Sequence, residues 1–266
     1  MARSRPQAVD LIEQGRVLVS GSVADKPSRL VASGEPVELS GDRPRFVSRA
    51  GDKLRAALDR FGIDPTGLRA LDAGASTGGF TDCLLQSGAA SVIAVDVGHG
   101  QLDQRLRHDP RVMCHERLDI RDVSLATVGG APVDLVTADL SFISVIRALP
   151  VLTGDVAHPG ASVVILVKPQ FEAGRIEASR ARGVIRDPEV HRRTLGEVAD
   201  ALGGSGAVIM GAMPSPIRGS TGNTEFLLHA RTPRPASGLA GPDDPPPGVR
   251  SLVDAAVAEA HDGPRG

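Results

Sequence analysis

Lys168 closes an apolar run, Val163-Val-Ile-Leu-Val-Lys168, and Pro169 follows it. Asp139 closes another, Asp134-Leu-Val-Thr-Ala-Asp139. Runs of this kind read as buried strands, and in an open α/β sheet ligands bind beyond the carboxyl ends of the strands. Both side chains are therefore expected to project toward one site. Lys53 precedes the first such strand and Glu225 starts the last. Two lysines and two acids can thus converge. Lysine is the scarce cation here, occurring only at Lys26, Lys53 and Lys168 among 30 lysines and arginines. An ammonium is compact and can lose its proton when buried or crowded by charge, whereas a guanidinium stays charged. In a chain that otherwise uses arginine, each lysine is a candidate for proton chemistry or for a tight site. The competing reading is a set of ordinary surface ion pairs.

A second group of residues suits a cofactor. Leu71-Asp72-Ala73-Gly74-Ala75-Ser76-Thr77-Gly78-Gly79-Phe80 follows a strand and opens a helix. Glycines there permit a tight turn and close approach of backbone to a ligand. Asp96 ends the next strand, where an acid can accept hydrogen bonds from ribose hydroxyls. The spacing is not the GxGxxG of dinucleotide enzymes, and Asp72 within the loop would repel a pyrophosphate. An acid suits a ligand with a positive amino group, such as S-adenosylmethionine (SAM). The candidate cofactor residues are Asp72, Gly74, Ser76, Thr77, Gly78, Gly79, Phe80 and Asp96. Asp119, past the third strand, is either a wall for an adenine ring or a surface acid.

The elements that must position these residues alternate. Strands are expected at Ala70–Ala73, Ser91–Asp96, Val112–His115, Val133–Ala138, Ala161–Lys168, Ala207–Met213 and Thr224–Ala230. Helices are expected at Ala50–Phe61, stopped by Gly62, and at Phe80–Gln86, Leu102–Arg107, Phe142–Leu149 and Val190–Ala201. Strand–helix alternation argues for a doubly wound α/β sheet. No helix signal separates the last two strands, so they are expected to form an antiparallel edge. Ahead of this unit, residues 1–40 read as a small α+β module. A helix capped by Ser4 and stopped by Gly15 leads into a strand pair turned at Ser20-Gly21, and Pro36–Leu39 supplies another strand. Residues 41–48 read as a linker, 49–231 as the sheet domain, and 232–266 as a Pro-rich flexible tail with a short helix from about Val249 to Ala260.

Bulk properties exclude several classes. Hydrophobic residues are 41% and charged residues 23% of the 266, ordinary for a globular protein. No apolar run approaches the ~20 residues that span a bilayer, and Met1 to Gln7 lacks the apolar core of a signal peptide. Cys83 and Cys114 are far apart and sit in no ligand cluster, which argues against a metal site or a disulfide scaffold and fits the cytoplasm. Nothing calls for a membrane or an obligate protein partner. The net charge of -2 means that any nucleic acid must be met by a local patch. The first 40 residues offer one: Arg3, Arg5, Arg16, Lys26 and Arg29 outweigh Asp10, Glu13 and Asp25. With no Trp or Tyr, base stacking falls to Phe, His or Arg.

At the level of motifs the chain resembles the TlyA (hemolysin A-like) family of ribosomal RNA 2′-O-methyltransferases. The runs that carry the resemblance are Ser48-Arg-Ala-Gly-Asp-Lys53-Leu, Leu71 to Phe80, Ala138-Asp-Leu-Ser-Phe-Ile-Ser144, Val167-Lys-Pro-Gln-Phe-Glu172 and Gly222-Asn-Thr-Glu225-Phe. It extends over about residues 4–231. It implies a Rossmann-like SAM methyltransferase joined to an N-terminal RNA-binding domain of the ribosomal-protein-S4 type, with ribosomal RNA or ribosomal subunits as partner. The family's Lys-Asp-Lys-Glu tetrad falls on Lys53, Asp139, Lys168 and Glu225. RNA contacts are implied for Arg3, Arg5, Arg16 and Lys26. The S4-type domain of this family usually has a further helix ahead of the one near Arg5. Its absence from the sequence points either to a start upstream of Met1 or to a short form with weaker RNA docking.

The resemblance also implies a mechanism. A ribose 2′-hydroxyl must lose its proton as it attacks a methyl group in line with the leaving sulfur. Lys168 is the expected general base and must be neutral to accept that proton, which calls for burial and the nearby charge of Lys53. Asp139 would hold the lysine or the hydroxyl, and Glu225 would orient Lys53 or the ribose. The substrate implied is a cytidine in 16S rRNA, 23S rRNA or both. Two other readings compete: an RNA-binding or ribosome-assembly module with little catalysis, and a membrane-active hemolysin. A base methyltransferase would want a run such as Asn-Pro-Pro-Tyr after the fourth strand, where this chain has Asp139-Leu-Ser-Phe.

Overall fold

Alternating Val17 and Val19 point inward and build a small sheet. In the computed structural model, which describes residues 5–13, 15–40, 44–174, 177, 181, 183–233 and 248–262, a helix α1 (Arg5–Glu13) precedes strands β1 (Val17–Val19), β2 (Ser22–Val23) and β3 (Val37–Leu39). Arg3 and the Ser4 cap lie outside the described residues. The three strands pair antiparallel in the order β2-β1-β3. The turn between the first two uses positive φ at both Ser20 (51°) and Gly21 (78°), the geometry that matches strand twist in a two-residue hairpin. Leu11, Val17, Val19 and Ala24 form the module's own core.

The larger unit begins at α2 (Ala50–Phe61). Leu54, Ala57 and Leu58 recur at helical spacing and are buried. Gly62 ends the helix at φ 64°, with its N–H directed to the carbonyls of Asp59 and Leu58, as a left-handed glycine cap does. There follow β4 (Arg69–Ala73), α3 (Gly79–Gln86), β5 (Ser91–Asp96), α4 (Gln104–Arg107), β6 (Val112–Glu116), β7 (Val133–Ala138), α5 (Leu149–Leu152), β8 (Ala157–Val167), α6 (Pro169–Glu172), α7 (Pro188–Gly204), β9 (Val208–Pro214), β10 (Phe226–Arg231) and α8 (Val249–Asp262). The seven strands lie in the order β6-β5-β4-β7-β8-β10-β9. The first five are parallel. β10 runs antiparallel between β8 and β9. The chain winds outward from β4 to β6, then returns to lay β7 on the other side of β4. That reversal opens a crevice at the carboxyl ends of β4 and β7, where doubly wound sheets bind ligands.

Both faces of the sheet are covered, so its strands read as continuous apolar runs. Leu71, Ile93, Val136, Val163, Ile165 and Phe226 face one way and pack with Leu195, Val198 and Leu202 of α7 and with Val253 and Val257 of α8. Ala70, Val92, Leu135, Val164, Leu166 and Leu227 face the other way, onto Leu54 and Leu58 of α2 and Phe80 and Leu84 of α3.

Three expectations need correction. The strand toward Lys168 starts earlier, at Ala157, and stops at Val167. Pro169 has no N–H for the ladder and its fixed φ suits the first turn of a helix, so Lys168 becomes the residue capping α6. The expected helix over Phe142–Leu149 is instead a 3-10 turn, Val145–Ala148, running into α5. Ser144 sets its start by accepting a hydrogen bond from the Ile146 N–H, which leaves Phe142 outside the helix with φ 70°. The helix near the carboxyl end is not an appendage, since Val253, Ala256 and Val257 are buried in the main core.

Glycine packing gives a test of this arrangement. A Cβ at Gly51 would lie 2.4 Å from Cγ of Phe46, whereas one at Gly196 on α7 meets nothing within 4 Å. Gly51→Ala is expected to destabilise by about 1–3 kcal/mol through overpacking. Gly196→Ala is expected to stabilise by about 0.5–1 kcal/mol through reduced backbone entropy of the unfolded chain. Urea unfolding of the two variants should give opposite signs, and equal signs would contradict the packing described.

Candidate active site

Four charged side chains meet in two pairs at the crevice. Lys53 lies one turn into α2 and donates from Nζ to Oε2 of Glu225 at 2.6 Å, with side-chain exposures of 7% and 3%. Glu225 immediately precedes β10 rather than starting it. Lys168 Nζ lies 2.6 Å from Oδ1 of Asp139, and this second pair is more open, at 11% and 17%. The Asp139 contact is a charge contact off the axis of a hydrogen bond, while Nζ donates to the Ser141 hydroxyl at 2.8 Å. All four residues line one cleft of about 260 Å³, together with Gly74, Ser76, Thr77, Gly79 and Phe80 of the glycine loop. The convergence expected from strand ends therefore occurs.

A second cavity of about 390 Å³ adjoins the first and shares Gly74, Ser76, Asp139 and Ser141 with it. Asp96 and Asp119 line it, beside the apolar side chains of Leu118, Ile120, Leu140 and Phe142. Asp96 is pinned by the loop: Oδ2 accepts from the Ser76 N–H at 2.8 Å and Oδ1 from the Gly98 N–H at 2.6 Å. Asp119 caps a short 3-10 turn and is clamped by Arg121, Nη2 to Oδ2 at 2.6 Å. The Arg121 hydrogen bonds hold its carboxyl down at about 2.

Two of the loop residues are not on either wall. Gly78, at φ 97°, caps α3, and a Cβ there would lie 2.3 Å from Leu106 and 2.8 Å from Leu102. Its need for glycine comes from packing. Asp72 is fully buried; Oδ2 accepts from the Thr81 hydroxyl at 2.6 Å, and Oδ1 has no hydrogen-bond partner among the described residues. Burial pushes its carboxyl up to about 7, against the Thr81 hydrogen bond and with added repulsion from Asp139. Gly74 is different. A Cβ there would lie 2.5 Å from the carbonyl oxygen of Asp139, so glycine is what lets the loop close against β7.

Ser48, Arg49, Glu172 and Asn223 lay inside the quoted motifs without a role, and Gly219 and Ser220 lay outside them. Ser48, Arg49, Gly219 and Ser220 line the cleft. Glu172 accepts from the Ser144 hydroxyl at 2.5 Å and from the Val145 N–H at 2.9 Å, joining the segment after Asp139 to the segment after Lys168. Asn223 is fully buried; its side chain accepts from Ile185 N–H at 2.9 Å and donates to Gly183 O at 2.7 Å and Thr221 Oγ1 at 2.8 Å. It fixes the loop that delivers Glu225. The signal for both was the motif itself, since a buried polar side chain with no chemistry to perform has usually a loop to hold.

The sheet portion, residues 46–232, matches the model of the FtsJ-like methyltransferases, and residues 1–37 match that of the S4 domain. The chain belongs to the FtsJ-like methyltransferase family. Among its relatives, the 16S/23S rRNA (cytidine-2′-O)-methyltransferase TlyA of Mycobacterium tuberculosis is 46% identical over 87% of this chain and 86% of its own length. Hemolysin A of Brachyspira hyodysenteriae is 37% identical over 85% of this chain and 93% of its own. A solved Streptococcus thermophilus structure, described as a hemolysin, superposes with a TM-score of 0.77 at 37% identity, over 98% of this chain and 91% of that one.

SAM is the cofactor that membership in a methyltransferase family implies, and the residues present fit it. Its sulfonium and amino group are cationic, and both cavities present carboxylates, Asp96 and Asp139. A flat adenine would find apolar walls beside Asp96. Gly74 lines both cavities. In the N-terminal module of this FtsJ-like methyltransferase, Arg5 and Lys26 are exposed. Arg16 is partly spent on structure, its Nε donating to Ser40 O at 3.1 Å.

The buried Asp72 predicts a pH signature. Its native value of about 7 lies above the 3.8 of an ordinary aspartate, so between about pH 4 and pH 7 the native state keeps a proton that the unfolded chain has released. Stability attributable to this group therefore falls as pH rises through that window and is flat above it. Asp72→Asn cannot ionise and keeps an acceptor for Thr81. Its melting temperature relative to the natural protein is expected to climb from pH 4 to pH 7 and then level off. A difference independent of pH would remove Asp72 as the source.

Proposed function

We propose that this protein methylates the 2′-hydroxyl of a cytidine in ribosomal RNA, with Lys168 as the general base. The observation that carries the reading is the pair of lysine–carboxylate contacts in one cleft, Lys53–Glu225 nearly closed to solvent and Lys168–Asp139 more exposed. SAM, when bound, supplies a methyl group activated by its sulfonium. Asp96 would hold its ribose, with Leu118, Asp119 and Ile120 beside the adenine, and Gly74, Ser76 and Thr77 would accommodate its amino-acid end. Phe80 and Gly79 close that end of the cleft.

The remaining steps belong to the protein. A ribose hydroxyl is a poor nucleophile until its proton has somewhere to go. Lys168 takes that proton, and Asp139 keeps the amine in place and then faces the ammonium. Lys53, neutralised by Glu225, adds a donor to the same cleft without an uncompensated buried charge. The S4 match and the exposed Arg5 and Lys26 support RNA as the partner, with Arg3 and Arg16 as further phosphate contacts. The relative named for both 16S and 23S rRNA is 46% identical, while one from Campylobacter jejuni named for 23S rRNA alone is 29% identical. Both subunits are therefore the proposed substrates. Among the described residues no helix is long and apolar enough to cross a membrane. A cytoplasmic location, where ribosomes are, goes with this reading.

Lys168→Arg keeps the charge but cannot become neutral near pH 7. Single-turnover transfer of a radiolabelled methyl group to 30S and 50S subunits is expected to fall by roughly 100- to 10,000-fold, the usual contribution of a general base. Lys26→Arg, a phosphate contact, should keep most of the activity. A Lys168→Arg rate close to that of the natural enzyme would mean that the lysine only positions substrate.

RNA docking by the N-terminal module has its own test. Affinity for ribosomal RNA is compared between the full chain and a chain starting at Phe46, across a salt series. The full chain should bind more tightly and with a steeper loss in salt, about one unit of log–log slope per phosphate contact. Equal affinities and slopes would exclude docking by residues 1–45.

A further inference from the structure

Lys168 Nζ meets three protein groups: it donates to Ser141 Oγ at 2.8 Å, lies in charge contact with Asp139 Oδ1 at 2.6 Å, and stands 5.9 Å from the centroid of the Phe171 ring. A neutral amine has two N–H bonds and one lone pair, arranged about a tetrahedral nitrogen whose fourth position is the carbon stem. Ser141 Oγ takes one of the hydrogens, and the Asp139 carboxylate draws the amine to its side without hydrogen-bond alignment, which turns the lone pair away from both. Lys168 lines the cleft, which is where a substrate hydroxyl must lie. We propose, on the reading of Lys168 as base, that Ser141 is a positioning residue: its hydroxyl, with Asp139, aims the lysine lone pair at the substrate hydroxyl. As the substrate O–H proton moves to that lone pair, the amine becomes an ammonium whose third N–H points where the lone pair had been. Neither of the first two contacts has to break.

The surroundings hold Ser141 for this task. It stands two residues past Asp139 in a turn whose next residue, Phe142, has φ 70°. A non-glycine residue persists there only where its neighbours over-determine it. They do so here from the other strand end. The Phe142 ring packs on Phe171 with centroids 5.6 Å apart, and Glu172 takes hydrogen bonds from Ser144 and Val145. Phe171 and Glu172 follow Lys168 by three and four positions. The turn carrying Ser141 and the turn carrying Lys168 are thus braced against each other. Without the Ser141 hydrogen bond the amine would rotate about its stem beside Asp139, and the lone pair would point into the cleft for only part of the time.

Positioning differs from charge pairing in its pH dependence. Besides Asp139, the charged groups that share this cleft are Lys53 and Glu225, paired with each other, and Arg49; none is altered by changes at Ser141. Single-turnover methyl transfer to 50S and 30S subunits is measured against pH, at saturating SAM, for the natural enzyme, Ser141→Ala, Ser141→Thr and Lys168→Arg. Ser141→Ala should remain on the order of 10- to 100-fold slow even at high pH where the natural rate has levelled off, as for a misaimed reacting group. Ser141→Thr restores a hydroxyl and should recover to within about threefold. If Ser141→Ala reaches the natural plateau at high pH, Ser141 only stabilises charge and the proposal falls. If Ser141→Thr is as slow as Ser141→Ala, the hydroxyl is not the cause and it falls likewise. A Lys168→Arg rate equal to the natural one would sink the base reading and this inference with it. Lys168→Arg inactive beside a fully active Ser141→Ala would sink the inference alone.

Discussion

Lys53 and Glu225 are 172 residues apart in the chain and meet at 2.6 Å with almost no contact with water. Neither charge is tolerable there without the other, because an unpaired buried ion costs several kcal/mol. The fold must therefore deliver both to the same point from distant parts of the chain. Lys53 arrives on α2, fixed by the apolar face of Leu54 and Leu58 against the sheet. Glu225 arrives on the loop before β10, fixed by Asn223. Every strand between them must be in register for the pair to close. The second pair, Lys168–Asp139, spans the neighbouring ends of β7 and β8 and is somewhat more exposed. The cleft thus has a nearly closed pair on one side and a less enclosed one on the other.

Much of this was legible from local pattern. The strand Ser91–Asp96, the strand Val133–Ala138 and the helix Ala50–Phe61 with its Gly62 stop have the boundaries that the sequence implies. All three are long, apolar-periodic and well punctuated, which is where pattern is most informative. The tetrad was legible for a related reason: strand ends in an open sheet have a known direction, so residues far apart in sequence can be placed on one edge. What failed were side-chain orientations within a turn. Asp72 and Gly78 sit in the same loop as Gly74 and Ser76, yet one is buried against Thr81 and the other serves packing with Leu106. Composition of a loop says that backbone will come close to something, not which side chains face the space. The Phe142–Leu149 helix failed because Ser144 competes as a cap, a single hydrogen bond that outweighs the apolar periodicity on either side. The helix Val249–Asp262 was legible as a helix, but its burial in the core depends on partners in α7 and β9 that no local pattern records.

The arginine-rich surface sets off the two site lysines. Arg121, Arg107, Arg111 and Arg192 each hold a carboxylate in a fixed geometry, which is the strength of a planar, permanently charged fork. Lys53 and Lys168 stand where a compact group on a flexible stem fits a narrow space. Those forks hold carboxylates outside the cleft, and both lysines line it beside Arg49.

The antiparallel insertion of β10 has a consequence for the order in which the molecule assembles. β9 pairs with β10 alone, and β10 fills the space between β9 and β8. On a chain emerging from its amino end, β4 to β8 can form the parallel half of the sheet while its outer edge, β8, is still bare. β9 then has no ladder to join until residues 226–231 have been made. The glycine loop and the Lys168–Asp139 pair belong to the early half; Glu225 immediately precedes the last strand. The nascent protein can therefore have the glycine-loop side of the cleft before it has the Lys53–Glu225 side. Completion of the site marks completion of the sheet, and a chain cut short before β10 carries a buried-type lysine at position 53 with no counter-charge to receive it.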